Sequence, residues 1–182
     1  LVLSLKLRDL LVCGLLLAAG LALVAWVYWA GTSGPAMMDD FARIMVIEDL
    51  SEKPELAWDY ITGDGSGPLG RPVAIASFVL ERIWLGTDFA VSKTINVLLH
   101  LLNTVLLIWL FALLFKPVCV PGYLHLSVAL GLAWALSPLY VSTVLYVVQR
   151  MAILSTGFML CTMIAYTYAR HLLHRRFIAL LL

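Results

Sequence analysis

Charge is scarce in this chain. Asp, Glu, Lys and Arg make up 13% of its 182 residues, and between Lys116 and Arg170 the one formally charged side chain is Arg150. A surplus of either sign is missing too. The 12 basic and 11 acidic residues leave a net charge of +1, so nothing in the composition points to nucleic acid as a partner. Cysteine is sparse: Cys13, Cys119 and Cys161 lie far apart without metal-ligand spacing and read as small buried hydrophobes, not a disulfide framework. What the chain has instead is apolar surface. Hydrophobic residues make up 63% of it, against roughly half in soluble domains, and that excess points to lipid.

Apolar runs and charge punctuation divide the chain. The expected order is a cytoplasmic N-terminus at 1–9, a first transmembrane span at 10–30, an extracytoplasmic loop at 31–93 and a second span at 94–115. A cytoplasmic loop at 116–121, a third span at 122–138, an extracytoplasmic segment at 139–150 and a fourth span at 151–168 follow. A cytoplasmic loop at 169–176 leads into the start of a fifth span at 177–182. Each full run approaches the ~20 residues that cross a ~30 Å hydrocarbon core. The first run is too long for a signal-peptide core, and no small-x-small cleavage site follows it. The chain starts without Met and stops inside FIALLL, so it reads as a piece of a longer membrane protein.

Orientation follows from the basic residues. Lys6, Arg8, Lys116, Arg170, Arg175 and Arg176 all fall on one face if the N-terminus is cytoplasmic, as the positive-inside rule asks. Every acidic residue except Asp9 then lies on the opposite face. The RHLLHRR run at 170–176 reads as a positive-inside anchor, with attraction to anionic lipid as an additional role.

The 31–93 loop holds two mostly apolar stretches, DDFARIMVIEDL and PVAIASFVLERIWLG, around a polar turn DYITGDGSGPLGRP. Pro72 suits the first position of a helix, where its missing N–H costs nothing. Trp26, Tyr28, Trp29 and Trp84 sit where aromatic side chains mark a headgroup level. The loop is expected to form two helices lying along the outer membrane surface.

Three groups of residues carry possible chemistry. Asp39 and Asp40 follow the first span; paired carboxylates there suit a general base, a cation or a sugar-hydroxyl contact, while the residue pattern by itself favours a helix N-terminus, and the roles are compatible. Lys93, Asn96, His100 and Asn103 share one face of the second span, either as the lining of a wet groove or as interhelical hydrogen-bond partners. Arg150, beside Gln149, is either a snorkelling side chain or a phosphate ligand, since a guanidinium matches phosphate with two parallel hydrogen bonds. Arg71 is a further basic residue on the same face, with an ion pair to a loop acid as its other role.

In this order and spacing, DDFARI, GRPVAIASF, INVLLHLLN and ALSPLYVSTVLYVVQRMAILST resemble the N-terminal part of GT-C membrane glycosyltransferases. The nearest resemblance is to the family that joins a transmembrane half to tetratricopeptide repeats, including protein O-mannosyltransferases and their bacterial relatives. It implies an all-α, polytopic GT-C-like fold, of which the four to five spans and two interfacial helices read above would be the first part. It also implies transfer of a sugar from a polyprenyl-phosphate donor to a protein or glycan hydroxyl on the extracytoplasmic face. The membrane would be the bacterial inner membrane, or the endoplasmic reticulum in a eukaryote.

By the resemblance, Asp39 or Asp40 is the base or positions the acceptor. Arg150, and after it Arg71, Lys93 and His100, hold the donor phosphate; Asn96, Asn103 and Gln149 are expected, from their placement in the sequence, as polar groove residues. It implies no metal ligand among these residues and leaves a divalent metal open. The family's common His-Pro-x-His pattern is replaced here by Ser137-Pro138-Leu139-Tyr140. The remaining spans and repeats, or partner subunits, are expected to complete the enzyme. The competing expectation is a non-catalytic membrane scaffold or assembly subunit that keeps the GT-C-like fold. A transporter reading finds no second polar-lined span to support it.

Overall fold

A computed structural model describes residues 2–37, 39–40, 53–63, 71–86 and 88–181. Among these residues every regular element is helical. The helices are α1 (Val2–Thr32), α2 (Ala57–Gly63), α3 (Pro72–Leu85), α4 (Phe89–Phe115), α5 (Tyr123–Ala135), α6 (Val141–Leu145) and α7 (Arg150–Leu181). Single 3-10 turns occupy Pro54–Leu56, Pro138–Tyr140 and Val147–Gln149.

Leu7–Thr32, Phe89–Phe115 and Val147–His171 are each long and apolar enough to cross a membrane. A fourth span is reached if Tyr123–Ala135 and Pro138–Leu145 count together as one broken span. The chain is thus a helical integral membrane protein, and its exposed surface fits that. Leu7, Leu11, Leu15, Trp26 and Trp29 on α1 are well exposed, a pattern that water would penalise and lipid does not.

Local signals set the helix ends. Asp88 caps α4: its Oδ1 accepts the Ala90 N–H at 2.8 Å, so the helix begins at Phe89 instead of 94. Pro72 opens α3, with Arg71 as the residue before it. Gly122 takes a left-handed φ of 63° to start α5, a conformation glycine adopts without strain. The loop expected at 169–176 is helix instead, and α7 runs on unbroken through 177–181. Arg, His and Leu are all compatible with helix, and RHLLHRR contains no Gly or Pro to stop it. The expected interfacial helix at DDFARIMVIEDL falls mostly on 41–50, outside the described residues, as do Asp64 and the turn around it.

The chain forms two compact units. The first comprises Leu1–Ala25, Leu101–Ser137 and Ser155–Leu182. Cys13, Ile108 and Val128 form one of its cores, and Leu110, Leu160 and Ile164 another. Small residues bring its helices together: a side chain at Gly20 would overlap Leu132, and one at Gly131 would overlap Ile108. Gly131→Ala is therefore expected to cost about 1–3 kcal/mol by overpacking, read as a lower melting temperature of the detergent-solubilised protein. Gly14→Ala, with nothing within 4 Å of the new methyl, should lose nothing in the same melt.

The second unit comprises Trp26–His100 and Pro138–Leu154. Its core joins Ile75, Phe78 and Val79 of α3 to Val147 and Val148 of the turn before α7, with Tyr60, Ile61, Tyr146 and Met151 packed around them. This unit holds the site.

Candidate functional site

Three stretches of the second unit build the site: the chain leaving α1, helix α3 with the first turns of α4, and the turns that lead into α7. Polar side chains are buried here in unusual number, including Asp40, Glu81, Arg82, Ser92, Lys93, Asn96, His100 and Arg150. Such groups persist in an interior only when they are paired.

Asp39 and Asp40 are neighbours in helical backbone with opposite surroundings. Asp40 is fully buried. Its Oδ1 accepts the Val148 N–H at 2.9 Å, and its Oδ2 accepts the Met37 N–H at 3.1 Å. The second bond is the backward half of a capping box, so the helix-capping role belongs to Asp40. The first bond ties the chain leaving α1 to the turn before α7. Asp39 is exposed, and its backbone N–H donates to the Tyr146 hydroxyl at 3.1 Å. One carboxylate is committed to architecture and the other is open to solvent.

Arg150 is fully buried and has an anion inside the chain. Its Nη2 lies 2.6 Å from Glu81 Oε2, and the same nitrogen donates to the Ser92 carbonyl at 3.0 Å. Nε donates to Asn96 Oδ1 at 2.9 Å, and the guanidinium stacks over the Phe78 ring at 4.1 Å. Nη1 is buried as well and meets no hydrogen-bond acceptor among the described residues. Ser92 Oγ donates to the other oxygen of Glu81. Phe78 and Glu81 lie three residues apart on α3, so one helix face offers both the ring and the carboxylate. A desolvated cation over a ring is worth about 2 kcal/mol, and the pair with Glu81 offsets the cost of burying either charge alone. The neighbouring Arg82 lies over the Phe89 ring at 5.5 Å and donates to the Gly86 carbonyl at 3.4 Å.

The polar face of α4 is buried along its length. Lys93 Nζ donates to the carbonyls of Gly34 and Pro35, at 2.6 and 2.9 Å, and so fastens the chain leaving α1. Asn96 Nδ2 faces the Tyr146 and Val147 carbonyls, both at 3.4 Å. His100 packs edge-on against Tyr28 at 5.2 Å and tilted against Tyr140 at 6.0 Å. Asn103 belongs to the first unit, where its Oδ1 lies against Gly157. Lys93, Asn96 and His100 therefore line a closed interior and not an open groove.

Arg71 is exposed, with Nη1 directed at the Met151 sulfur. The Gln149 backbone N–H donates to the Tyr146 carbonyl at 3.0 Å and closes the turn before α7. The sequence singles out Arg150 and Asn96 separately, whereas the roles of Glu81, Ser92 and Phe78 emerge only in the fold. One signal is present: Glu81 is the only acid within the mostly apolar PVAIASFVLERIWL, and a buried arginine needs such a partner. Among the described residues no three metal-ligating side chains come together.

Compared with known proteins, the chain matches no family model, no curated protein and no solved structure.

Proposed function

We propose that this chain is part of an integral membrane glycosyltransferase that moves a sugar from a polyprenyl-phosphate donor to an acceptor hydroxyl on the extracytoplasmic face. The observation that carries the reading is the contrast between the two adjacent carboxylates. Asp40 is anchored by two backbone amides, and it holds Asp39 exposed next to the Tyr146 hydroxyl. An exposed carboxylate on an anchored backbone is what a general base for a bulky acceptor requires.

In this reading Asp39 takes the proton as the acceptor oxygen attacks the anomeric carbon. The bond from that carbon to the phosphate oxygen breaks, and polyprenyl phosphate leaves with the negative charge. Arg71, exposed on the same unit, meets that charge. Arg150 has the role of holding the platform, because Glu81, Asn96 and the Ser92 carbonyl already engage it. Lys6, Arg8 and Lys116 then lie on the cytoplasmic side, α3 lies at the outer interface with Trp84 exposed, and the rest of the polypeptide or partner subunits complete the donor site.

A second reading, a non-catalytic scaffold or assembly subunit of GT-C-like fold, is favoured by one observation. The buried Arg150, Asp40 and Lys93 all find their partners within the chain. The two readings separate in one assay. Membranes carrying the full polypeptide are given radiolabelled mannose on polyprenyl phosphate or on a nucleotide. Label passing to acceptor from the lipid donor alone supports transfer. No transfer from either donor, with the protein folded, supports the scaffold.

A further inference from the structure

The first unit carries a cleft that the transfer reading does not use. Leu110, Leu160 and Ile164 close the seam between α4 and α7, and Trp109 meets Tyr168 edge-on at 6.0 Å beside it. Where the seam ends, a cavity of about 430 Å³ opens. Its apolar lining is Leu113, Leu114 and Pro117, and its polar lining includes Tyr166, Arg170 and His171. Leu114, Pro117, Tyr166 and Arg170 are all exposed.

The composition of this cleft is that of a headgroup boundary: leucine and proline along one part, a phenol and a guanidinium along another. Among the described residues no acidic side chain lines it. Another cavity of the same unit, of about 440 Å³, is a useful contrast, because Asp9 lines it together with Tyr123 and His125. Equal size and opposite charge character mean that only the first suits an anion.

We infer that the cleft between the end of α4 and the Tyr166–His171 segment of α7 binds the phosphate headgroup of an anionic phospholipid. Arg170 pairs with the phosphate, Tyr166 sits at headgroup depth, and Leu113 and Leu114 lie against the start of the acyl chain. A positive-inside orientation puts the cleft in the cytoplasmic leaflet, where anionic lipids give the surface its negative potential. The inference stands apart from the sugar-transfer reading.

The test is native mass spectrometry of the full polypeptide, released from detergent micelles containing equal phosphatidylglycerol and phosphatidylcholine. The wild type is expected to retain one phosphatidylglycerol in preference to phosphatidylcholine. Arg170→Ala should weaken that retention about fivefold, the contribution of one basic side chain at an anionic surface, and Arg170→Lys should keep most of it. Lys116→Ala removes an exposed positive charge that does not itself line the cleft and should weaken retention clearly less than Arg170→Ala.

Unchanged retention in Arg170→Ala, or an equal loss in Lys116→Ala, overturns the site in favour of diffuse surface attraction. Displacement of phosphatidylglycerol by millimolar inorganic phosphate overturns the lipid assignment, since the cleft would then take free phosphate. Because Arg170 is exposed, its variants should fold, and an unchanged melting temperature checks this.

Discussion

Asp39→Asn is expected to lower sugar transfer by at least about 100-fold while leaving the melting temperature of the protein unchanged. The size is that of a lost general base, which contributes about 10²–10⁴-fold. The unchanged stability follows from position: Asp39 is exposed, and the contact it makes to Tyr146 comes from its backbone N–H, which asparagine keeps. Asp40→Asn should behave in the opposite way. An amide keeps one acceptor oxygen and turns an NH₂ group toward either the Val148 or the Met37 N–H. Hydrogen bonds to a charged group are worth about 1.5–3 kcal/mol each, so a loss of about that size should appear in a thermal melt. Transfer per folded Asp40→Asn molecule would fall less than in Asp39→Asn. Equal loss of transfer at equal stability would place the base on neither residue in particular and remove the division of roles.

Removing one member of the buried ion pair is the second large effect. Arg150→Met leaves Glu81 as a buried carboxylate without its cation, and Glu81→Met strands Arg150. Either change should cost about 3–5 kcal/mol, the range for breaking a buried pair from one side. The double variant, with both charges gone and the volume kept, should regain most of that loss. The cycle would give a coupling energy well above the few tenths of a kcal/mol found for independent sites. Single variants that melt like the wild type would show that Arg150 and Glu81 are not held against each other in the membrane.

Much of this architecture was legible in the sequence because the membrane writes it in simple terms. The spans appear as apolar runs, and the buried face of α4 appears as Lys93, Asn96, His100 and Asn103 at helical spacing. Pro72 and Asp88 mark helix starts that local rules can find. The site was legible only as a set of residue types. Which of Asp39 and Asp40 stays exposed is decided by the amides of Val148 and Met37, and the first lies 108 residues away in sequence. The partner of Arg150 is fixed by the docking of α3, a tertiary event with no local signature. The expected fourth span, 151–168, falls within the apolar segment Val147–His171, while the helix itself continues beyond it: charge changes how a helix meets the membrane, but it does not end the helix, and α7 passes through RHLLHRR unbroken.

The most direct test of the account uses sealed, right-side-out membrane vesicles carrying the full polypeptide, with radiolabelled polyprenyl-phosphate mannose in the bilayer and the acceptor supplied outside. The account predicts label on the acceptor without permeabilisation, and its loss with Asp39→Asn. Label appearing only in inverted vesicles, or equally with Asp39→Asn, would contradict it.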